Sequence, residues 1–186
     1  AALGRMPLAL ESLAVWPVVS GLIFMVRSLG MAYNEVVVAL LDLPRSSPPL
    51  RRFAIYLIAS LTFLWLLLVA TPLAGFWFTK VSALEPRLAE MARQATWLAI
   101  PLPAVSVLQS WFQGALLHSR KTRAITEAVV VYLVLNLLTL ISGVVWNQIT
   151  GLYIGLGSMV LSSIIQTIWL RWRSRPALAT LRNRDV

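Results

Sequence analysis

Arg27, Asn34 and Glu35 are residue types that handle ions or polar cargo, and all three fall within one apolar run, residues 13–43. A charge at bilayer depth costs roughly 2.5 kcal/mol or more on insertion scales. It is kept where it faces a bundle interior, pairs with another charge or meets a substrate. Arg27 and Asn34 are seven residues apart and share a helix face. Arg27 and Glu35 are eight apart, about 12 Å along a helix axis, so they can flank one cavity without touching. The chemistry on offer is a carboxylate that takes a proton or cation beside a guanidinium that attracts an anion. The bland alternative is an ion pair with a neighbouring helix, or snorkelling to a lipid phosphate.

Other polar residues in apolar surroundings extend this set. Gln109 and Gln113 project from one helix face at i and i+4 and need partners in hydrocarbon, either other helices or a cavity. Asn136 lies in a stripe with Tyr132, Thr139 and Gly143, and a second stripe holds Gly151, Gly155, Ser158, Ser162 and Gln166. Such stripes predict close helix packing, with Asn136 also placed to line a cavity. Arg120, Arg123 and Glu127 form a candidate gate or interface, in which Glu127 caps a helix start and pairs with Arg123. His118 beside them is an interfacial bystander or a proton relay. The chain carries no nucleophile elbow, zinc-binding pair, phosphate loop or dinucleotide fingerprint. No catalytic residue and no cofactor is expected, apart from a proton or sodium as coupling ion. With one histidine and no cysteine, no metal site is expected either.

The elements that must position these residues are membrane helices. Hydrophobic residues make up 59% of the chain and charged residues 12%, half the charge of a typical soluble domain. Five apolar segments cover residues 13–43, 53–78, 96–117, 128–146 and 149–170. Each approaches or exceeds the roughly 20 residues that a spanning helix needs. None alternates with the period of two that a barrel requires. The expected fold is all-α: a polytopic transmembrane bundle of about five spans, with a short interfacial helix over residues 81–93. Prolines in three of the spans invite kinks: Pro17, Pro72, and the pair Pro101 and Pro103. The proline-rich stretch 44–52 and the basic stretch 118–124 are expected as loops, and residues 171–186 as a tail. The start at Ala1, without an initiator methionine or signal-peptide pattern, reads as a piece of a longer chain.

Orientation follows from the basic residues. Arg45, Arg51, Arg52, Arg120, Lys121, Arg123, Arg171, Arg173 and Arg175 lie on one side of the predicted spans, against Arg5, Lys80, Arg87 and Arg93 on the other. The positive-inside rule therefore makes both loops and the tail cytoplasmic and the N-terminus external, in a cell inner (plasma) membrane. The net charge of +9 is a topology signal at a lipid surface, and no nucleic-acid partner is expected.

Ala70-Thr71-Pro72-Leu73-Ala74 closing the second span, and Gln113-Gly114 running into Arg120-Lys121-Thr122-Arg123, resemble the multidrug and toxic compound extrusion family. More broadly they are similar to the superfamily of such antiporters and the lipid-linked oligosaccharide flippases. The resemblance implies two six-helix bundles, of which this chain would supply most of one, in the C-terminal half, with the second bundle as its missing partner. It implies ion-gradient-driven, alternating-access export of an amphipathic or lipid-linked substrate, with Glu35 as the coupling carboxylate. Gln109 and Gln113 stand where some relatives place a carboxylate, and Arg27 favours an anionic or lipid-phosphate cargo. The alternative is a non-transporting membrane scaffold subunit, in which Arg27 and Glu35 have structural partners.

Overall fold

A computed structural model describes residues 2–185, and every element among them is helical. After a 3-10 turn at Leu3–Arg5 come α1 (Ala9–Leu40), α2 (Ser47–Ala70), the short α3 (Leu73–Phe76) and a π-helical turn at Trp77–Val81. Then follow α4 (Pro86–Leu98), α5 (Leu102–His118), α6 (Thr122–Trp146) and α7 (Gly151–Asp185). Four helices (α1, α2, α6 and α7) are long and apolar enough to cross a membrane, and α4 and α5, bent by 44° at the intervening break, count as a fifth if the two form one span. The all-α bundle expected from composition is what the chain forms, with four single helices and one bent pair against the expected five or so spans.

The centre of the bundle is α5, which packs against α1, α2 and α7. It is buried nearly all round, with Leu102, Val107, Ala115 and Leu116 fully covered. Contact between α1 and α5 is close because small residues line it. A Cβ added to Gly30 would stand 3.1 Å from the Ser106 Cβ, and one added to Gly114 would stand 2.8 Å from the Val37 Cβ. The Ser110 hydroxyl donates to the Gly30 carbonyl at 2.8 Å and the Asn34 amide donates to the Ser110 carbonyl at 3.1 Å. By contrast α6 packs chiefly on α7, and Val129, Val130, Leu133, Leu137 and Ile141 are exposed along it.

Several boundaries differ from the sequence expectation. Residues 47–52 are helical, so the first basic loop is residues 41–46 instead of 44–52. Pro48 and Pro49 sit in the first turn of α2, where the missing N–H has no intrahelical partner to lose. The second span stops at Ala70, with Pro72 starting a separate turn. In place of the short interfacial helix expected over residues 81–93, the chain forms α4 at Pro86–Leu98, again with proline in its first turn. The third span, expected over residues 96–117 with a proline kink, is broken at residues 99–101, where Pro101 and Pro103 lead into α5 and its axis turns 44° from that of α4. The second loop shrinks from 118–124 to 119–121. The expected tail, 171–186, is the helical end of α7 as far as Asp185. Ser174, Ala177 and Leu181 continue the buried stripe of that helix, so packing carries the helix past the end of its hydrophobic run.

Candidate functional site

At the middle of α1 the Arg27 side chain is half-buried. Its Nε is fully buried and meets no acceptor among the described residues. The guanidinium lies within electrostatic reach of Tyr132 on α6. Tyr132 and Asn136 line a crevice of about 270 Å³ between α1, α6 and α7, together with Trp16, Gly155 and Ser158. There the Asn136 amide donates to the Ser158 hydroxyl at 3.3 Å. Besides this stripe-to-stripe bond, Gly143 of α6 packs closely on Ile154, next to the α7 stripe: a Cβ there would lie 3.1 Å from the Ile154 Cδ1.

The other predicted residues are dispersed. Glu35 is exposed on α1, and no hydrogen bond or ion pair reaches it among the described residues. Asn34, seven residues from Arg27, is engaged between α1 and α5. Gln109 is buried and joins α5 to α7, donating to the Ser163 carbonyl at 3.2 Å and the Gln166 amide oxygen at 3.0 Å. Gln113 is half-buried, without a side-chain hydrogen bond among the described residues. Arg27 thus reaches towards Tyr132, which lines the crevice with Asn136, without lining it itself, while Asn34 and Gln109 hold helices together and Glu35 stands apart.

At the basic end of the bundle, Glu127 pairs with Arg123 at 3.6 Å and more closely with Arg173 of α7, whose Nε is 2.9 Å away. This pair joins α6 to the extension of α7, beyond residue 170, where the sequence expectation ended the last span. Arg120 is exposed and adopts a left-handed backbone, φ 54°. His118 Nδ1 lies 3.2 Å from the Asp42 carboxylate, tying the end of α5 to the end of α1.

A second, larger cavity of about 1160 Å³ lies between α2, α5 and α7 towards the basic end, where the sequence expectation placed no site. Its apolar wall includes Ile55, Ile58, Leu108, Phe112, Ile164 and Ile168, and its basic lining is Arg51, Arg52 and Arg171. The sequence held a signal for it. Arg51, Ile55 and Ile58 recur at i, i+4 and i+7, as do Ile164, Ile168 and Arg171, so an arginine ends the same helix stripe as its isoleucines.

No group of three or more potential metal-ligating His, Cys, Asp or Glu side chains occurs among the described residues. No protein-family model, no curated protein and no solved structure matches this chain.

Proposed function

We propose that this protein is part of an ion-gradient-driven transporter or flippase that moves an amphipathic or lipid-linked anion by alternating access. The observation that carries the reading is the buried Nε of Arg27, which has no acceptor among the described residues although it stands in a membrane-spanning helix. An unsatisfied buried donor costs about 1–3 kcal/mol, on top of the cost of placing a charge at that depth. Neutral groups such as the Trp65 and Trp169 indoles and the Thr62 hydroxyl also lack a partner among the described residues, so what marks Arg27 is its charge, and an unpaired guanidinium at that depth fits a ligand as partner. The neighbouring crevice, with Tyr132, Asn136 and Ser158, supplies neutral hydrogen-bonding groups for an anion. Glu35 is the candidate coupling group: exposed on α1 and unpaired among the described residues, it is placed to meet a coupling ion as helices rock.

The test is flux in liposomes containing the full-length protein, with NBD-labelled phosphatidic acid as probe and dithionite quenching as readout. A proton or sodium gradient is expected to drive probe movement. Arg27→Gln is expected to abolish it while the protein still inserts and remains monodisperse. Glu35→Gln is expected to uncouple movement from the gradient, and normal coupled flux in that variant would remove Glu35 from the mechanism. Vesicles inert under every gradient favour a non-transporting scaffold subunit. That second reading has its own support in Asn34 and Gln109, whose side chains bond neighbouring helices.

A further inference from the structure

The larger cavity has features that a gap between helices does not need. Arg51 and Arg52 lie near the start of α2 and Arg171 lies on α7, all exposed at the cavity's lining. None of the three is within ion-pairing distance of a carboxylate among the described residues. Asp185 also lines the cavity, but its carboxylate is occupied by the Ser47 hydroxyl, the Arg45 and Ser47 amides and the Arg184 guanidinium. The basic lining is thus three unpaired guanidiniums on two helices.

The cavity opens sideways. Helices α2 and α7 make little contact with each other, and both lean on α5, which forms the back wall through Val105, Leu108, Trp111 and Phe112. Ile55 and Ile168 are 57% and 61% exposed, and they mark the opening towards what would be hydrocarbon. From Ile58 to Arg51, and from Ile164 to Arg171, the lining changes from apolar to cationic over seven residues, about 10 Å along each helix. A lipid has the same order: an acyl chain at hydrocarbon depth and a phosphate at the interface. Arginine matches phosphate through its planar fork of donors.

We infer that the α2–α5–α7 cavity is a binding site for a lipid with an exposed phosphate, entered laterally from the bilayer. The phosphate is held by Arg51, Arg52 and Arg171, and one acyl chain lies along Ile55, Ile58, Ile164 and Ile168. A net-neutral zwitterionic lipid leaves guanidinium charge uncompensated there and is held less well.

Native mass spectrometry of the full-length protein in detergent, with phosphatidic acid and phosphatidylcholine as competing probes, tests this. Wild type is expected to retain phosphatidic acid preferentially. The triple variant Arg51→Gln, Arg52→Gln, Arg171→Gln is expected to lose at least about tenfold of that preference, since each arginine near an anionic lipid surface contributes measurably. A control removing the same number of charges at Arg120, Lys121 and Arg123 is expected to keep it. Ile168→Trp, which adds bulk at the opening, is expected to weaken retention of both lipids.

Equal losses in the triple variant and the control would reduce the effect to general surface charge and overturn the site. So would unchanged retention in Ile168→Trp, or occupation of the cavity by another helix in the full-length protein. Displacement of the lipid by millimolar inorganic phosphate would overturn the acyl-chain assignment. Binding is read without transport, so loss of lipid retention and loss of flux are distinguishable.

Discussion

Gly30 and Arg27 lie one helical turn apart on α1 and do opposite things. Gly30 permits contact, because a side chain there would press on Ser106 and on Val107, whose Cγ2 is 3.2 Å from the added Cβ position. Gly30→Val is therefore expected to destabilise the α1–α5 pair by roughly 1–3 kcal/mol, measured as a lower thermal midpoint in detergent, with Gly21→Val as the control. Nothing lies within 4 Å of the Cβ position at Gly21, so that variant should melt like wild type. Arg27 leaves a polar group open instead. Arg27→Leu is expected to hold or raise thermal stability, because it removes an unsatisfied buried donor, while transport of the phosphatidic acid probe is lost. Loss of both stability and flux would mean that Arg27 is structural.

At the scale of elements, the two ends of a helix are decided by different physics. Proline at the start of α2, α4 and α5 costs nothing in the first turn. Pro48→Ala is accordingly expected to leave the start of α2 in place, and a circular-dichroism spectrum equal to that of wild type would check it. The far end of α7 is secured by a clamp. Arg184 donates to the Leu41 carbonyl at 2.7 Å and the Leu43 carbonyl at 3.1 Å, at the end of α1, while Asp185 accepts from the Ser47 amide at 3.0 Å, at the start of α2. The Ser47 hydroxyl above all, then the Arg184 guanidinium and the Ser47 and Arg45 amides, hold the Asp185 carboxyl well below the usual carboxylate range. A carboxyl depressed in the folded state stabilises fully above its unfolded value, about 3.9, and that contribution is lost as the pH falls through the folded value. The clamp is therefore complete at neutral pH and opens under strongly acidic conditions. Asp185→Asn is expected to lower hydrogen-exchange protection of residues 41–47 at pH 7, as strong acid does in wild type. Equal protection in the variant at pH 7 would show that Arg184 suffices.

For the whole molecule, the basic residues sort the two ends of the bundle and the absence of cysteine makes that sorting measurable. Ser119→Cys and Asn147→Cys place single thiols in loops at opposite ends. An impermeant maleimide is expected to label the cysteine at 147 on intact cells and the one at 119 only after permeabilisation; the reverse pattern would invert the proposed orientation. The sequence by itself determined the helical class, the presence of several apolar spans and the separation of basic from less basic ends. These follow from composition and run length, because a hydrocarbon solvent forces every spanning backbone group into internal hydrogen bonds. It also identified the small-residue stripes that bring α6 against α7. It could not divide the polar residues between packing and site. Asn34 and Gln109 turned out to hold helices together while the Arg27 Nε was left without an acceptor among the described residues, and that division depends on rotation about each helix axis, set only when neighbours pack. Likewise, the lateral cavity exists because α2 and α7 both lean on α5 and scarcely touch each other, a relation between segments about a hundred residues apart that no local pattern encodes.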